Sequence, residues 1–158
     1  MSLMRIFFYC CSAELKSKCR TCLLFNISVV LVQAAAFGAS QLGLFETPLT
    51  FNPWQLTWML SGVVSLIGLS ALSKNKTTLL NLHNIGMIMF GFGGVFFGCM
   101  AQYVAHQRFL QSGDTSRLLG IPVYLLWMGA LFILFINYVL TYVYSVRLQN
   151  AWSLKKSR

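Results

Sequence analysis

The sequence predicts an all-α polytopic membrane protein, a four-transmembrane-helix bundle with both termini in the cytosol, on three observations. The chain is 57% hydrophobic and only 9% charged, with mean hydropathy +0.68, whereas soluble domains carry about 25% charge. Four apolar stretches are long enough to cross a bilayer. The basic residues, 12 against three acids, fall almost entirely on one side of the topology that those stretches define. Alternating polarity is absent, which removes a β-barrel.

The stretches run over 22–44, 55–72, 79–100 and 121–144. A span needs ~20 predominantly apolar residues, with ~17 as the lower limit. The second is the shortest and is diluted by Thr57, Ser61, Ser65 and Ser70, so a re-entrant segment is its alternative. Residues 1–21 do not read as a cleaved signal peptide. The apolar run 6–11 is short, and no small-residue cleavage site follows it. The first span then serves as an uncleaved signal-anchor. Met4, Phe7, Phe8 and Cys11 either share one face of a short interfacial helix or belong to a frayed terminus. Pro48 and Pro53 punctuate the first loop, and Trp54 and Trp58 begin an aromatic belt. The hairpin around Asn75 is tight, so spans two and three pack antiparallel. Pro122 is acceptable at the start of span four, where first-turn donors lack intrahelical partners. The connections hold no independent fold, so 1–158 is one domain.

Charge sets the orientation. Arg5, Lys16, Lys18 and Arg20 precede the first span, Lys74 and Lys76 sit between spans two and three, and Arg147, Lys155, Lys156 and Arg158 follow span four. The other side has Arg108 and Arg117, with Glu46 and Asp114. Basic residues in short loops mark the cytoplasmic side, which makes the tail 145–158 cytosolic. This asymmetry accounts for the net charge of +9. A nucleic-acid partner would need those charges on a folded soluble face. The partner implied throughout is the lipid bilayer, and the basic side suits anionic lipids.

Span three carries Gly91, Gly94 and Gly98, and span two carries Ser61, Ser65 and Gly68. Such stripes let helix backbones approach closely, and the two are expected to face each other within one subunit. The rival use is a homo-oligomer contact through Gly94-x-x-x-Gly98.

Chemistry-bearing residues are few. Charge within a span costs ~2.5 kcal/mol or more and marks function by default, yet no Asp, Glu, Lys or Arg lies within the four spans. That argues against a proton-coupled transporter, a pump or an intramembrane hydrolase. His83 reads as a neutral, hydrogen-bonded helix-end histidine, and His106 lacks the axial partner that a haem would need. Asn26, Gln33, Gln41 and Asn137 are amides within spans, suited to bonds between helices. Cys19-x-x-Cys22 has half-site spacing only, and metal would need two more ligands. On a reducing side a structural disulfide is not expected, and Cys10, Cys11 and Cys19 are juxtamembrane candidates for palmitoylation. The sequons at Asn75 and Asn26 should both stay unused, one cytosolic and the other in lipid.

Lys155 and Lys156 stand third and fourth from the end of the sequence. They resemble the dilysine retrieval signal that coat-protein machinery reads on the cytosolic side. Such an address is read by a receptor and anchors nothing itself.

The order and spacing of several short pieces resemble the Jagunal family. They are Pro53-Trp54-Gln55, the run from Ser65 through Ile67, Gly68 and Ser70, the Asn75 hairpin, Phe97-Gly98-Cys99-Met100, Gly113-x-x-x-Arg117, and Trp152 followed by Lys155-Lys156. The likeness runs from about 14 to 158. It departs at 1–12, where the family's charged leader is shortened or replaced. The resemblance implies a multi-pass protein of the endoplasmic reticulum, acting in reticulum organisation and vesicle-mediated transport of the early secretory pathway. It implies no catalytic residues and no cofactor. The alternatives are a glutathione transferase-like four-span enzyme, which would need charged groups converging inside the bundle, and a channel or scramblase. A claudin-type junction protein would need a large disulfide-bearing loop.

Overall fold

The computed structural model describes the backbone of residues 2–42, 52–112, 117–118 and 121–156, with side-chain surroundings for 12–42, 52–111 and 121–153. Glu46 and Pro48 of the first loop and Gly113 and Asp114 of the last lie outside the described residues, as do Ser157 and Arg158.

Four helical segments are long and apolar enough to cross a membrane: Ser12–Gln41, Pro53–Lys74, Thr77–Gln111 and Val123–Ser153. The first belongs to α1, a single helix over Ser2–Gln41. Neither a break nor a separate interfacial helix occurs before the first span. No proline interrupts 2–41 and the only glycine is Gly38, so nothing stops the helix from running through the polar stretch 12–20. An i,i+4 pair, Lys18 Nζ to Glu14 Oε1 at 2.7 Å, lies on that stretch. At ~1.5 Å per residue, α1 is about 60 Å long, twice the ~30 Å hydrocarbon core.

α2 spans Pro53–Lys74. Pro53 occupies the first turn, and the Asn52 N–H donates to Gln55 Oε1 at 2.9 Å, so one orphan donor at the helix start is satisfied. Its 22 residues match a full crossing rather than a re-entrant segment. It ends at Asn75, held in the left-handed region (φ 49°, ψ 39°) with its N–H on Ala71 O, and Lys76 N–H also donates to Ala71 O at 3.2 Å. Asparagine tolerates this conformation better than other non-glycine residues.

The third crossing is interrupted where the sequence predicts one uniform helix. α3 (Thr77–Gly86) passes into a π-helical segment at Met87–Phe92 and then into α4 (Gly93–Ser112). Gly86, Gly91, Gly93 and Gly94 cluster there, and a wider turn shifts the register of every later side chain. α4 also continues 12 residues past the predicted end of the span at 100, shortening the expected long loop. A two-residue antiparallel pair then forms, Arg117–Leu118 (β1) against Ile121–Pro122 (β2). α5, Val123–Lys156, closes the fold.

The helices form a ring: α1 packs on α2 and α5, while the third crossing packs on the same two from the opposite corner. Two clusters fill it. Trp54, Trp58, Val64, Met87, Val95, Leu131, Leu134 and Tyr138 form the larger one. The smaller, built on Cys19, Leu23, Ala71, Leu72, Leu80 and Leu148, lies toward the end that carries Lys16, Lys18, Lys74, Lys76 and Arg147. At that basic end Lys16 Nζ donates to Asn75 Oδ1 at 3.1 Å, tying α1 to the α2–α3 turn. At the opposite end Tyr124 of α5 packs on His106 and Phe109 of α4, with ring centroids at 5.1 and 5.8 Å.

Candidate functional site

A hydrogen-bonded network crosses the middle of the ring. Asn26 on α1 is fully buried, and its Nδ2 donates to Ser65 Oγ at 2.7 Å and lies 3.2 Å from Ser61 O and 3.3 Å from Ser61 Oγ. Its Oδ1 accepts from Tyr138 OH on α5 at 3.1 Å. Tyr138 OH is also 2.9 Å from Ser61 Oγ, which bridges the diagonal of the ring between α5 and α2. Ser65 Oγ donates to Ser61 O of its own helix at 2.9 Å. Three helices thus meet at four side chains, and the desolvated polar atoms find partners, as an apolar surround demands.

Smaller polar contacts continue toward the basic end. Asn137 Nδ2 donates to Cys22 O at 3.3 Å, joining α5 to α1. His83 Nδ1 is 2.9 Å from Val64 O, and the ring lies directly over Gly68, where an added Cβ would sit 2.8 Å from Nδ1. Asn84 Nδ2 donates to Gln149 Oε1 at 3.2 Å, and its Oδ1 accepts from Ser145 Oγ. These contacts link α3 to α5. Among the described residues no group of three or more His, Cys, Asp or Glu comes together.

The small residues predicted for packing are divided between different neighbours. A Cβ on Gly94 would lie 2.9 Å from Trp58 Cα, and one on Gly98 would lie 2.9 Å from Leu131 Cδ2 and 3.0 Å from Trp54 Cε3. The glycine pair of α4 therefore packs on the tryptophan face of α2 and on α5. Ser61 and Ser65 turn away to Asn26 and Tyr138, and only Gly68 meets the third crossing. Gly91 contacts Met87 of its own helix, with Tyr138 beyond it at 3.5 Å. Since Gly94 and Gly98 are covered within one subunit, a homo-oligomer would have to use another face.

Cys19 has no exposed surface and belongs to the smaller cluster. Acylating its sulfur would require that cluster to open. Cys10 and Cys11 lie on the α1 helical backbone, and their side chains are outside the described residues. The same holds for Lys155 and Lys156, which are the last two residues of α5. Gln33 is half-buried and Gln41 exposed, so neither is the buried interhelical amide that the sequence suggests.

Tyr138 is the member of the network that sequence reasoning missed. The signal was present: a phenol next to Asn137, inside span four and a full turn before Tyr142 and Tyr144. Compared with known families, residues 7–156 match the model described as Jagunal, ER re-organisation during oogenesis. No curated protein matches the chain.

Proposed function

This chain belongs to the Jagunal family, and from that we propose that it is a non-enzymatic multi-pass protein of the endoplasmic-reticulum membrane. Its role is in reticulum organisation and in vesicle-mediated transport through the early secretory pathway. Both termini face the cytosol, and Lys155 and Lys156 are offered to coat-protein retrieval machinery. The family description ties the chain to reorganisation of the endoplasmic reticulum; the finer reading rests on charge. Lys16, Lys18, Arg20, Lys74, Lys76 and Arg147 gather at one end of the bundle, from three separate chain segments. Basic residues near span ends favour the cytosolic side.

The lysine pair ends α5 without a break in the helix. From Arg147 to Lys156 is nine residues, about 13 Å of helical rise, so the pair is carried clear of the membrane surface on a stiff support. The test is the steady-state location of the tagged protein with its C-terminus free, compared with Lys155→Ser/Lys156→Ser. Reticulum residence that depends on the pair supports retrieval. Residence without dependence removes the coat contact, and a wild-type protein at the cell surface removes the reading.

A further inference from the structure

At the basic end, an open groove of about 270 Å³ between α1 and α5 is lined by Ser17, Lys18, Thr21, Cys22, Leu140 and Tyr144. Its size approaches the ~300 Å³ lower bound of small-molecule clefts, which suits a headgroup and the root of a chain. Ser17, Lys18 and Thr21 supply the polar lining, and Leu140 and Tyr144 supply an apolar wall from α5.

Three observations fix the groove's depth. Lys16, Lys18 and Arg20 are the last charges on α1 before Cys22, after which the helix is without charge to Gln41. On α5, Leu140, Tyr144 and Arg147 follow i, i+4, i+7 spacing and share one face, with Arg147 exposed. Asn137 bonds Cys22 O, which aligns the apolar floor on both helices. The groove therefore lies beside the last cations of α1, with apolar residues of both helices toward the middle of the bundle.

We propose that this groove seats one anionic phospholipid, its phosphate against Lys18 and the Ser17 and Thr21 hydroxyls and its acyl root along Leu140 and Tyr144. The Lys18 ammonium has three donors. It pairs with Glu14 at 2.7 Å, the two side chains being 65% and 52% exposed for Glu14 and Lys18. Such a pair is weak, so a phosphate shares the ammonium with the carboxylate and competes with it. Basic recesses between helices at this depth suit anionic headgroups, with each lysine near the surface contributing a modest attraction.

The test uses the purified full chain in mild detergent with an equimolar mixture of phosphatidylserine and phosphatidylcholine of matched chains, and counts lipids retained by native mass spectrometry. One phosphatidylserine should be retained in preference. Lys18→Gln should lower that retention roughly fivefold, and Glu14→Gln should raise it by removing the competing carboxylate. Leu140→Trp, on an exposed face, should block the floor and abolish retention with all charges kept. Lys74→Gln, exposed at the same end but outside the groove, should have no effect. Equal retention of phosphatidylcholine would overturn the proposal. So would equal losses from Lys18→Gln and Lys74→Gln, which mean diffuse surface charge, or displacement by millimolar inorganic phosphate, which means a bare-anion site. Lys155→Ser/Lys156→Ser should leave retention intact, so this proposal and the retrieval reading fail separately.

Discussion

Removing the Tyr138 hydroxyl isolates the central network with the least disturbance of packing. Tyr138→Phe keeps the ring beside Phe92, centroids 6.0 Å apart, and deletes the bonds to Asn26 Oδ1 and Ser61 Oγ at 3.1 and 2.9 Å. Interhelical hydrogen bonds in membranes average ~0.6 kcal/mol each, with a maximum of about 1.7. Two of them therefore predict a loss of about 1.2 kcal/mol. Ser61 and Ser65 meet only the Nδ2 of Asn26, so its buried Oδ1 loses the Tyr138 donor and an unsatisfied-acceptor cost of about 1–3 kcal/mol adds to that loss. Asn26→Ala, which removes both ends of the amide at once, should cost about 2 kcal/mol, because it severs α1 from both α2 and α5 and leaves a small void. A double-mutant cycle with both changes isolates their single shared bond, and the coupling should be about 0.6 kcal/mol. The assay is reversible unfolding in lipid bicelles, read by steric trapping. A neutral Tyr138→Phe, or a coupling indistinguishable from zero, would mean that the four side chains do not join three helices.

The glycines give a second contrast. Gly94→Ala pushes a methyl against Trp58 backbone that cannot swing aside and should cost about 1–3 kcal/mol, whereas Gly129→Ala, with nothing within 4 Å, should cost nothing in the same unfolding assay. Asn75→Val should destabilise by about 1–2 kcal/mol because the residue sits at φ 49°, and Asn75→Gly should not. Cys19, fully buried, should resist maleimide in the folded Cys10→Ser/Cys11→Ser/Cys22→Ser/Cys99→Ser background and react once the protein is denatured, as judged by mass. In microsomes the Asn75 sequon should remain unmodified. A glycan there, seen as an endoglycosidase-sensitive gel shift, would invert the proposed topology.

Span number was legible because it depends on run length and charge, both of which can be read along one dimension. Helix ends were less so. Charges at Glu14, Lys16, Lys18 and Arg20 suggest a boundary for the lipid-embedded part of α1, but they do not stop a helix, and α1 continues through them. The π segment at Met87–Phe92 was hidden for a related reason. Glycines were visible there, yet glycine permits close packing and irregular turns alike, and only the neighbours decide. Gly94 and Gly98 read correctly as small residues for a close approach. Their partners, Trp54 and Trp58, read in sequence as interfacial-belt residues, because aromatic residues at span ends usually occupy one.

The site was partly legible because a bundle in lipid reverses the usual pattern of burial. Phe132, Phe96 and Val32 are more than 60% exposed, while Asn26, Ser61, Ser65 and Thr141 are fully buried. Apolar periodicity carries little information when the surround is as apolar as the core. Polar periodicity then becomes the useful signal, because a polar group facing lipid is costly. Asn26 with Ser61 and Ser65 could be suspected on that ground, and Tyr138 could have been found by the same rule. What the rule cannot supply is the pairing. Ser61 was matched to the glycines of span three, since both are small, but its hydroxyl needs a partner that glycine lacks. Satisfying that hydroxyl turns Ser61 inward to Tyr138 and leaves the tryptophan face of α2 for Gly94 and Gly98. Hydrogen-bond demand therefore sets the rotation of α2, and the glycine contacts follow from it.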